Sequence, residues 1–276
     1  MTTHKTKIAV VGASGRMGQE VVRSVLHADN VELVAALTHE QSTSLGLDVG
    51  MLANEGPCHV LLACDYASLQ EADVVIDFAT PAGCAERLSY YLEYQVPVVL
   101  CTTGLSQADM QACAKASVTL PLLYAENTSL GANALRILVQ QASAMLGEEA
   151  DIEILEAHHT GKQDAPSGTA LALGKAAAEG RGQEFEQVAE LHRNAAETAY
   201  KKGSIGFATL RAGDIIGEHT VYMVTKNERL EFTHRVSARS TFAEGAIFAA
   251  RWLTRKNAGF YRMNDVLRVD ACTRIP

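Results

Sequence analysis

The stretch KIAVVGASGRMG, residues 7–18, joins a short apolar run to three closely spaced glycines and the beginning of a helical pattern. Residues 7–11 predict a buried β-strand, and apolar side chains at helical spacing predict a helix over residues 16–27. Small residues between a strand and a helix let the backbone approach a pyrophosphate, whose charge the free N–H groups and the helix dipole stabilise. Residues 7–18 therefore predict a dinucleotide-binding loop. Ser14 replaces the middle glycine of the commoner G-x-G-x-x-G pattern, so a tight structural turn is the alternative.

The first half of the chain repeats this alternation of apolar runs and amphipathic stretches. We predict further strands over residues 31–37, 74–78, 96–100 and 118–124, and a helix over residues 84–94. Alternating strands and helices are typical of a parallel sheet with helices packed on it. The predicted fold is therefore α/β, with an N-terminal, Rossmann-like, doubly wound parallel sheet.

The pattern changes near residue 130, where we expect a second domain. Helices are predicted over residues 131–146 and 168–179, and strands over 151–156, 205–211, 218–224 and 229–237, with a poorly patterned segment at 180–203. Together they predict a C-terminal α+β domain with an open mixed sheet. A helix over residues 241–254 needs a core to cover, so we place it on the first sheet, followed by a short tail. The predicted domains are thus 1–128, completed by 239–276, and 129–238.

Composition and charge exclude several classes of protein. The chain has 276 residues, is 47% hydrophobic and carries a formal net charge of -8, so it is not expected to bind nucleic acid through clustered Lys and Arg. Its N-terminal apolar run is too short for a signal peptide or a membrane span, and we expect a cytoplasmic protein without a membrane partner. The cysteines form no C-x-x-C pair, which predicts buried free thiols and no metal site. They are Cys58, Cys64, Cys84, Cys101, Cys113 and Cys272.

Polar residues follow several predicted parallel strands, at the edge where open α/β sheets bind ligands. Thr38 and His39 follow the second strand, where a carboxylate would favour NAD. This chain has no carboxylate at those two positions and no arginine to grip a 2′-phosphate, so the sequence allows either NADPH or NADH. CTTG (residues 101–104) and the loop 125–129 follow two later strands, and together they would line a nicotinamide crevice.

The segment EAHHTGKQDAPSGTA, residues 156–170, is the richest in chemistry. It places His158, His159 and Lys162 just beyond a predicted strand, and Ser167, Gly168 and Thr169 at the start of a helix. Neighbouring histidines on extended backbone point in opposite directions, so they are not expected to share a metal. The lysine charge and the helix N–H groups suit a small dicarboxylate, and a histidine can exchange a proton near neutral pH. A solvated, capped loop is the alternative.

A later stretch, residues 205–219, contains Arg211, Asp214, Glu218 and His219 within β-type runs. A sheet-forming or oligomer-facing surface explains these residues adequately. We therefore predict no catalytic role for them.

Five motifs carry a resemblance over nearly the whole chain: VGASGRMG (11–18), DFATP (77–81), CTTG (101–104), EAHHTGKQDAPSGTALALG (156–174) and IGFATLRAGDIIGEHT (205–220). In this order they resemble the motifs of the 4-hydroxy-tetrahydrodipicolinate reductase family, and the histidine pair with KQDAPSGTA is the most specific part. The resemblance implies hydride transfer from NADPH or NADH to a cyclic imine dicarboxylate, in the diaminopimelate route to lysine. It also implies a homotetramer built through the second domain, which would bind substrate.

The resemblance further implies roles for individual residues. His158 would donate or accept a proton, and Lys162 would donate a proton and pair with the substrate. His159 would bind substrate beside Gly168 and Thr169. The implied cofactor contacts are Gly12, Ala13, Ser14, Gly15, Arg16, Met17, Thr38, His39, Cys101, Thr102, Thr103, Ala125, Glu126, Asn127 and Thr128.

The chain departs from the family pattern at several of these positions. Members commonly carry Glu-Arg at Thr38 and His39, Arg at Thr80 and Gly at Cys101, and Arg with a third His between the histidine pair and Lys162. Cofactor choice and substrate affinity are the properties that these differences affect. Two rival functions stay open: a two-domain dehydrogenase of the aspartate or homoserine type, and a regulatory protein that senses a nicotinamide cofactor without catalysis.

Overall fold

The structure, a computed structural model, describes residues 5–192 and 200–267. The chain forms two compact units, bounded as Met1–Ser129 with Arg239–Pro276 and as Leu130–Ala238. Within the described ranges, none of the helices has the length and apolar character that a membrane crossing requires. Cys272 lies outside the described residues, and the other five cysteines are free thiols.

The first unit contains seven strands that form one parallel sheet, in the order β12-β6-β5-β4-β1-β2-β3. The strands are β1 (Thr6–Val11), β2 (Val31–Leu37), β3 (Leu62–Ala63), β4 (Val74–Asp77), β5 (Val98–Leu100), β6 (Pro121–Tyr124) and β12 (Gly259–Tyr261). The helices are α1 (Arg16–Leu26), α2 (Val49–Leu52), α3 (Cys84–Glu93), α4 (Gln107–Ala116), α8 (Ser240–Leu253) and α9 (Met263–Val266), with a 3₁₀ turn at Tyr66–Glu71. The predicted Rossmann-like, doubly wound fold is confirmed.

Burial along the central strands explains why helices pack against this sheet. Residues 8–11 of β1 and all four residues of β4 are buried, so side chains on both faces need cover. Helices α3 and α4 pack together over one core cluster, which contains Leu88, Tyr91 and Cys113. Helices α1 and α8 also pack together, and α8 contacts β4, β5 and β6, as we predicted. The strand order reverses between β1 and β4, and this switch point places ligands at the carboxyl ends of these strands.

The second unit is a mixed sheet with helices, in the strand order β11-β10-β7-β9-β8. Its strands are β7 (Asp151–His158), β8 (Ala189–Glu190), β9 (Ile205–Arg211), β10 (Gly217–Val224) and β11 (Arg229–Val236). Its helices are α5 (Leu130–Leu146), α6 (Gly168–Gly180) and α7 (Phe185–Val188), with a 3₁₀ turn at Gly147–Glu149. Strands β10 and β11 run antiparallel and β7, β9 and β8 run parallel, which confirms the predicted open mixed sheet.

Three sequence-based boundaries were wrong for identifiable reasons. The predicted strand 118–124 begins only at Pro121, because the N–H groups of residues 118–120 form turn hydrogen bonds to the end of α4. Val118 is 78% exposed. The predicted strand 151–156 continues to His158, because pairing with β9 extends two residues further. The predicted tail contains β12 and α9, because Phe260 packs on the core and β12 pairs with β6 at the sheet edge. Helices α2, α4 and α7 and the short strands β3 and β8 were missed.

Candidate active site

A cavity of about 400 Å³ lies in the first unit, in the loops that follow the central strands. Seven of the residues that we expected to contact a cofactor line it: Met17, Cys101, Thr103, Ala125, Glu126, Asn127 and Thr128. The loop after β4 and one residue of α8 complete the lining, with Phe78, Ala79, Thr80, Pro81 and Phe242. We had not assigned these five residues to the cofactor site. The DFATP motif pointed to the first four, whereas Phe242 comes from the far end of the chain.

The glycine loop after β1 fits the backbone of a pyrophosphate site. Gly12 has a φ of 78°, and a Cβ there would lie 2.8 Å from the backbone nitrogen of Ala79. A Cβ on Gly18 would collide with the carbonyl oxygen of Gly12. Gly15 caps α1 without any side-chain hydrogen bond, so the N–H groups of the first turn are not covered by a capping side chain. Ala13 is buried, while Ser14 is half-buried and Arg16 is exposed.

The end of β2 has polar residues where the ribose of a dinucleotide lies in this fold. Thr38 is buried, and its Oγ1 lies 2.7 Å from Oγ of Ser14, so one hydroxyl pair links the glycine loop to the second strand. His39 is exposed. Neither Thr38 nor His39 brings the negative charge that would repel a 2′-phosphate, which fits either cofactor.

A buried ion pair supports the loop after β4. Nε of Arg87 donates to Oδ2 of Asp77 over 2.8 Å, and Arg87 also donates to the carbonyl oxygens of Thr80 and Ala82. Thr102, which we expected to contact cofactor, is 1% exposed and donates to the carbonyl oxygen of Ala79 over 2.9 Å. Thr102 therefore holds the wall of the cavity and does not line it.

In the second unit, β7 brings Glu156 and His158 to the same face, because side chains two residues apart on a strand point the same way. Nδ1 of His158 lies 2.5 Å from Oε2 of Glu156, and both side chains are buried. A carboxylate only accepts hydrogen bonds, so Nδ1 carries the proton and Nε2 is the basic nitrogen of the neutral ring. Burial lowers the pKa of His158 below its ordinary value, and the hydrogen bond to Glu156 opposes that effect.

Glu156 has several further partners. The guanidinium of Arg211 binds both of its carboxylate oxygens, at 2.8 and 2.9 Å. Thr209 Oγ1 and the backbone nitrogen of Ser167 donate to Oε1 over 3.1 and 3.2 Å. Burial would raise the pKa of Glu156, but the hydrogen bonds from Arg211 and His158 outweigh burial and lower it. Glu156 is thus an ionised carboxylate that joins two strands to the start of α6.

His219 lies beside this cluster and is 4% exposed. The His158 and His219 rings meet edge to face, with centroids 5.2 Å apart, and Nε2 of His219 lies 3.0 Å from Oγ of Ser167. Burial lowers the pKa of His219 to about 3, with a further contribution from His158, so its ring is neutral. Our expectation that Arg211 and His219 serve only a sheet or oligomer surface was wrong, because strand pairing places both against the histidine of β7.

The loop after β7 carries the predicted substrate-binding residues. Nζ of Lys162 lies 2.9 Å from Oδ1 of Asp164, and the Arg211 guanidinium donates to the carbonyl oxygens of both residues. His159 and Thr169 are half-buried and Gly168 is exposed. Ser167 is 1% exposed, and its N–H already donates to Glu156, so it does not offer the amide that we predicted for a carboxylate.

The residues that sequence reasoning missed in this cluster are Glu156, Arg211 and His219. The signal for Glu156 was available, since it lies two residues before His158 on a strand. Arg211 and His219 come from β9 and β10, and only the register of these strands with β7 brings them together. Among the described residues, no group of His, Cys, Asp and Glu side chains is arranged to hold a metal ion.

Two family models match consecutive parts of the chain. The one described as dihydrodipicolinate reductase, N-terminus, matches residues 6–128, and the one described as dihydrodipicolinate reductase, C-terminus, matches residues 131–267. A relative from Pseudoalteromonas translucida (strain TAC 125), named 4-hydroxy-tetrahydrodipicolinate reductase, is 46% identical over 263 residues. The match covers 95% of this chain and 98% of that relative.

Solved structures give the same picture of the fold. A dipicolinate-bound dihydrodipicolinate reductase from Paenisporosarcina sp. TG-14 has a TM-score of 0.72 and 26% identity, covering 94% of this chain and 97% of its own. An amine dehydrogenase from Mycobacterium smegmatis has a TM-score of 0.58 at 12% identity, covering 97% of each chain. The amine dehydrogenase is similar to this chain in fold alone.

Proposed function

The chain belongs to the dihydrodipicolinate reductase family, and from this premise we propose that it reduces 4-hydroxy-tetrahydrodipicolinate, with His158 and Lys162 as its proton-transfer residues. It is an NAD(P)H-dependent oxidoreductase, and its reaction belongs to the diaminopimelate route of lysine biosynthesis. The observation that carries the assignment of His158 is its buried 2.5 Å hydrogen bond to Glu156, which leaves Nε2 for proton exchange.

In the first unit, the residues around the cavity and the glycine loop would hold the cofactor. Gly12, Gly15 and the first turn of α1 would bind the pyrophosphate, Ser14, Thr38 and His39 the ribose end, and Cys101, Thr103 and residues 125–128 the nicotinamide end. The bound NADPH or NADH supplies the hydride. The protein's part is to orient the ring and to exclude water from the transfer.

In the second unit, His158 and Lys162 would deliver the proton that completes the reduction. Loss of the substrate hydroxyl as water gives an unsaturated cyclic imine dicarboxylate, and hydride addition to it gives an enamine that must gain a proton. The imidazolium form of His158 would give this proton from Nε2 to the enamine and return to the neutral ring, while Nδ1 stays bound to Glu156. Lys162 lowers the pKa of His158 by its positive charge, which makes the imidazolium a stronger acid.

The same loop would bind the substrate carboxylates. Lys162 is paired with Asp164, whose side chain is 58% exposed, so an incoming carboxylate can replace Asp164 at little cost in desolvation. The exposed backbone of Gly168 and the half-buried His159 and Thr169 lie in the same loop and the following helix turn. The dipole at the start of α6 favours negative charge there.

A coupled assay tests this function directly. The substrate is generated in place from pyruvate and aspartate semialdehyde by its synthase, and the loss of nicotinamide absorbance is followed with NADPH and with NADH. We expect oxidation of the cofactor only when the complete substrate-generating mixture is present. The ratio of kcat/KM for the two cofactors then gives the preference that the sequence leaves open.

Two control reactions separate the rival functions. Aspartate semialdehyde supplied without the synthase tests for a dehydrogenase of the aspartate or homoserine type, and rapid cofactor oxidation there would contradict the proposal. Cofactor binding without oxidation in the complete mixture would instead indicate a nicotinamide-sensing protein.

We also propose that the first unit is the dinucleotide-binding domain and that the second unit binds substrate and builds a homotetramer. Helices α5 and α6 pack on one face of the second sheet, while Leu155 and Leu210, which point to the opposite face, are 39% and 48% exposed. Burying such an apolar face between copies of the chain would be favourable.

We further propose a cytoplasmic location. The five free thiols in the described part of the chain support a reducing compartment such as the cytoplasm. Light scattering tests the homotetramer, and cell fractionation tests the location.

A further inference from the structure

We propose that Glu156 is a positioning residue that fixes the tautomer of His158 and, through Arg211, the path of the loop that carries Lys162. This inference rests on the proposed roles of His158 and Lys162. The motifs of the sequence, including the glycine loop and the histidine pair, imply no role for Glu156.

Several hydrogen bonds converge on the buried carboxylate of Glu156. Glu156 is 1% exposed, and it binds His158 on its own strand, Arg211 and Thr209 on β9, and the N–H of Ser167 at the start of α6. A buried ion pair contributes little net stability, because desolvating both charges offsets their attraction. Such a network instead fixes geometry, because the same two carboxylate oxygens of Glu156 set the directions of all its partners.

Arg211 connects Glu156 to the loop that carries Lys162. The guanidinium of Arg211 holds Glu156 with two nitrogens and donates from the same group to the carbonyl oxygens of Lys162 and Asp164. Because a guanidinium is planar and rigid, fixing one edge on the carboxylate directs the other toward the loop. Glu156 therefore sets the position of the lysine backbone without touching it.

The other ring nitrogen of His158, Nε2, has space beside it. A Cβ on Gly217 would lie 3.2 Å from Nε2 of His158, so this glycine leaves room beside the nitrogen that must exchange a proton. The charged and titratable groups around the ring are Glu156 on β7, Arg211 on β9, His219 on β10 and Lys162 on the loop, with His234 on β11 opposite His219. Glu156 is the carboxylate that contacts the ring, and a second carboxylate, Asp164, pairs with Lys162.

These charges give two variants with effects of opposite sign. Glu156→Gln removes the negative charge and leaves Arg211 and Lys162, so the pKa of His158 should fall. Arg211→Met removes a positive charge and leaves Glu156, so the pKa of His158 should rise. Nearby charges shift this pKa in any network, so the tautomer of His158 is the readout specific to positioning, because it depends on the hydrogen bond from Nδ1 to Glu156.

The experiment is ¹⁵N NMR of histidine-labelled protein without ligands, titrated with pH, with His158→Gln used to assign the His158 signals. We expect the Nδ1–H tautomer in the unsubstituted protein, a mixture of tautomers with a lower pKa in Glu156→Gln, and a higher pKa in Arg211→Met. In the coupled assay, kcat of Glu156→Gln should fall roughly 10- to 100-fold while KM for the cofactor stays unchanged. Glu186→Gln, an exposed glutamate of the same unit, is the matched control and should alter neither.

The outcomes are separable. A changed tautomer in Glu156→Gln together with opposite pKa shifts supports the positioning role, even if the unsubstituted protein fails to reduce the imine, in which case only the proposed function is lost. An unchanged tautomer in Glu156→Gln, or pKa shifts of the same sign in both variants, would overturn the inference. If Glu156→Gln does not fold, a fall or no change in the His158 pKa of Arg211→Met overturns it.

Discussion

Arg87 Nε lies 2.8 Å from Asp77 Oδ2, and this ion pair is buried at the end of β4, directly under the loop that forms one wall of the cavity. The other guanidinium nitrogens donate to the carbonyl oxygens of Thr80 and Ala82. Tyr91 also donates to Asp77, over 2.8 Å. The shape of the cavity therefore depends on Arg87, a residue of α3 that does not line it.

Replacing Arg87 by Met should weaken both folding and cofactor binding. Removing one partner of a buried ion pair leaves an uncompensated charge on Asp77 and costs about 3–5 kcal/mol of the free energy of unfolding. The loop 79–82 also loses two of its donors, so the Kd for NADPH or NADH should rise. Urea unfolding and fluorescence titration measure the two effects. Arg255→Met, which changes an exposed arginine, should leave both unchanged.

Replacing Gly12 by Ala should abolish tight cofactor binding. The residue has a φ of 78°, and its Cβ would lie 2.8 Å from the backbone nitrogen of Ala79. Gly56→Ala is the matched control, since Gly56 has a φ of 85° and open space around the position of a Cβ. Both variants should lose about 1–2 kcal/mol of stability through the positive φ, and Gly12→Ala should lose more because its Cβ also meets backbone atoms. Only Gly12→Ala should raise the cofactor Kd. Equal cofactor affinities in the two would show that the close approach is unimportant.

Replacing His158 by Gln should lower kcat by roughly 10²- to 10⁴-fold, the usual contribution of a proton-transfer residue. Cofactor affinity should be unaffected, because no residue of the first unit is altered. Steady-state kinetics in the coupled assay and a cofactor titration provide the two measurements. His192→Gln, at an exposed position of the second unit, serves as the control. Turnover at the unsubstituted rate would remove His158 from the mechanism.

Replacing Lys162 by Ala should damage substrate binding and turnover together. A hydrogen bond to a charged group contributes about 1.5–3 kcal/mol, so KM for the imine should rise roughly 10- to 100-fold. The KM for the cofactor should not change. Lys202→Ala removes an exposed lysine from the same unit and should behave like the unsubstituted protein. Normal substrate kinetics in Lys162→Ala would contradict the proposed role.

His219 should make stability depend on pH. Burial lowers its pKa from 6.5 to about 3 in the folded protein, so the unfolded chain binds more protons between these values. Its contribution is complete above pH 6.5 and is lost as the pH falls toward 3. His219→Gln can still form a hydrogen bond with Ser167 but does not titrate, so the free energy of unfolding of this variant should fall less steeply with acid. Parallel curves from urea unfolding at several pH values would disprove this.

The sequence predicted the fold where the pattern was local. Residues 31–37 and 205–211 were predicted as strands and lie in β2 and β9 with the same bounds, since side-chain alternation and β-branching are properties of neighbouring residues. The strand at 118–124 was misplaced because the turns after α4 depend on packing. Likewise β12 pairs only at a sheet edge that its own three residues do not reveal.

For the candidate site, the sequence alone determined the glycine loop, the residues after the parallel strands and the segment with His158 and Lys162, because each is contiguous in the chain. Tertiary structure decided that Glu156, Arg211 and His219 surround His158, and that Arg87 supports the cavity wall. Strand register sets which side chains from β7, β9 and β10 face one another, and a shift of one residue would turn each to the opposite face. Burial, which sets the pKa of His219 and the cost of an unpaired Asp77, likewise exists only once the chain is folded.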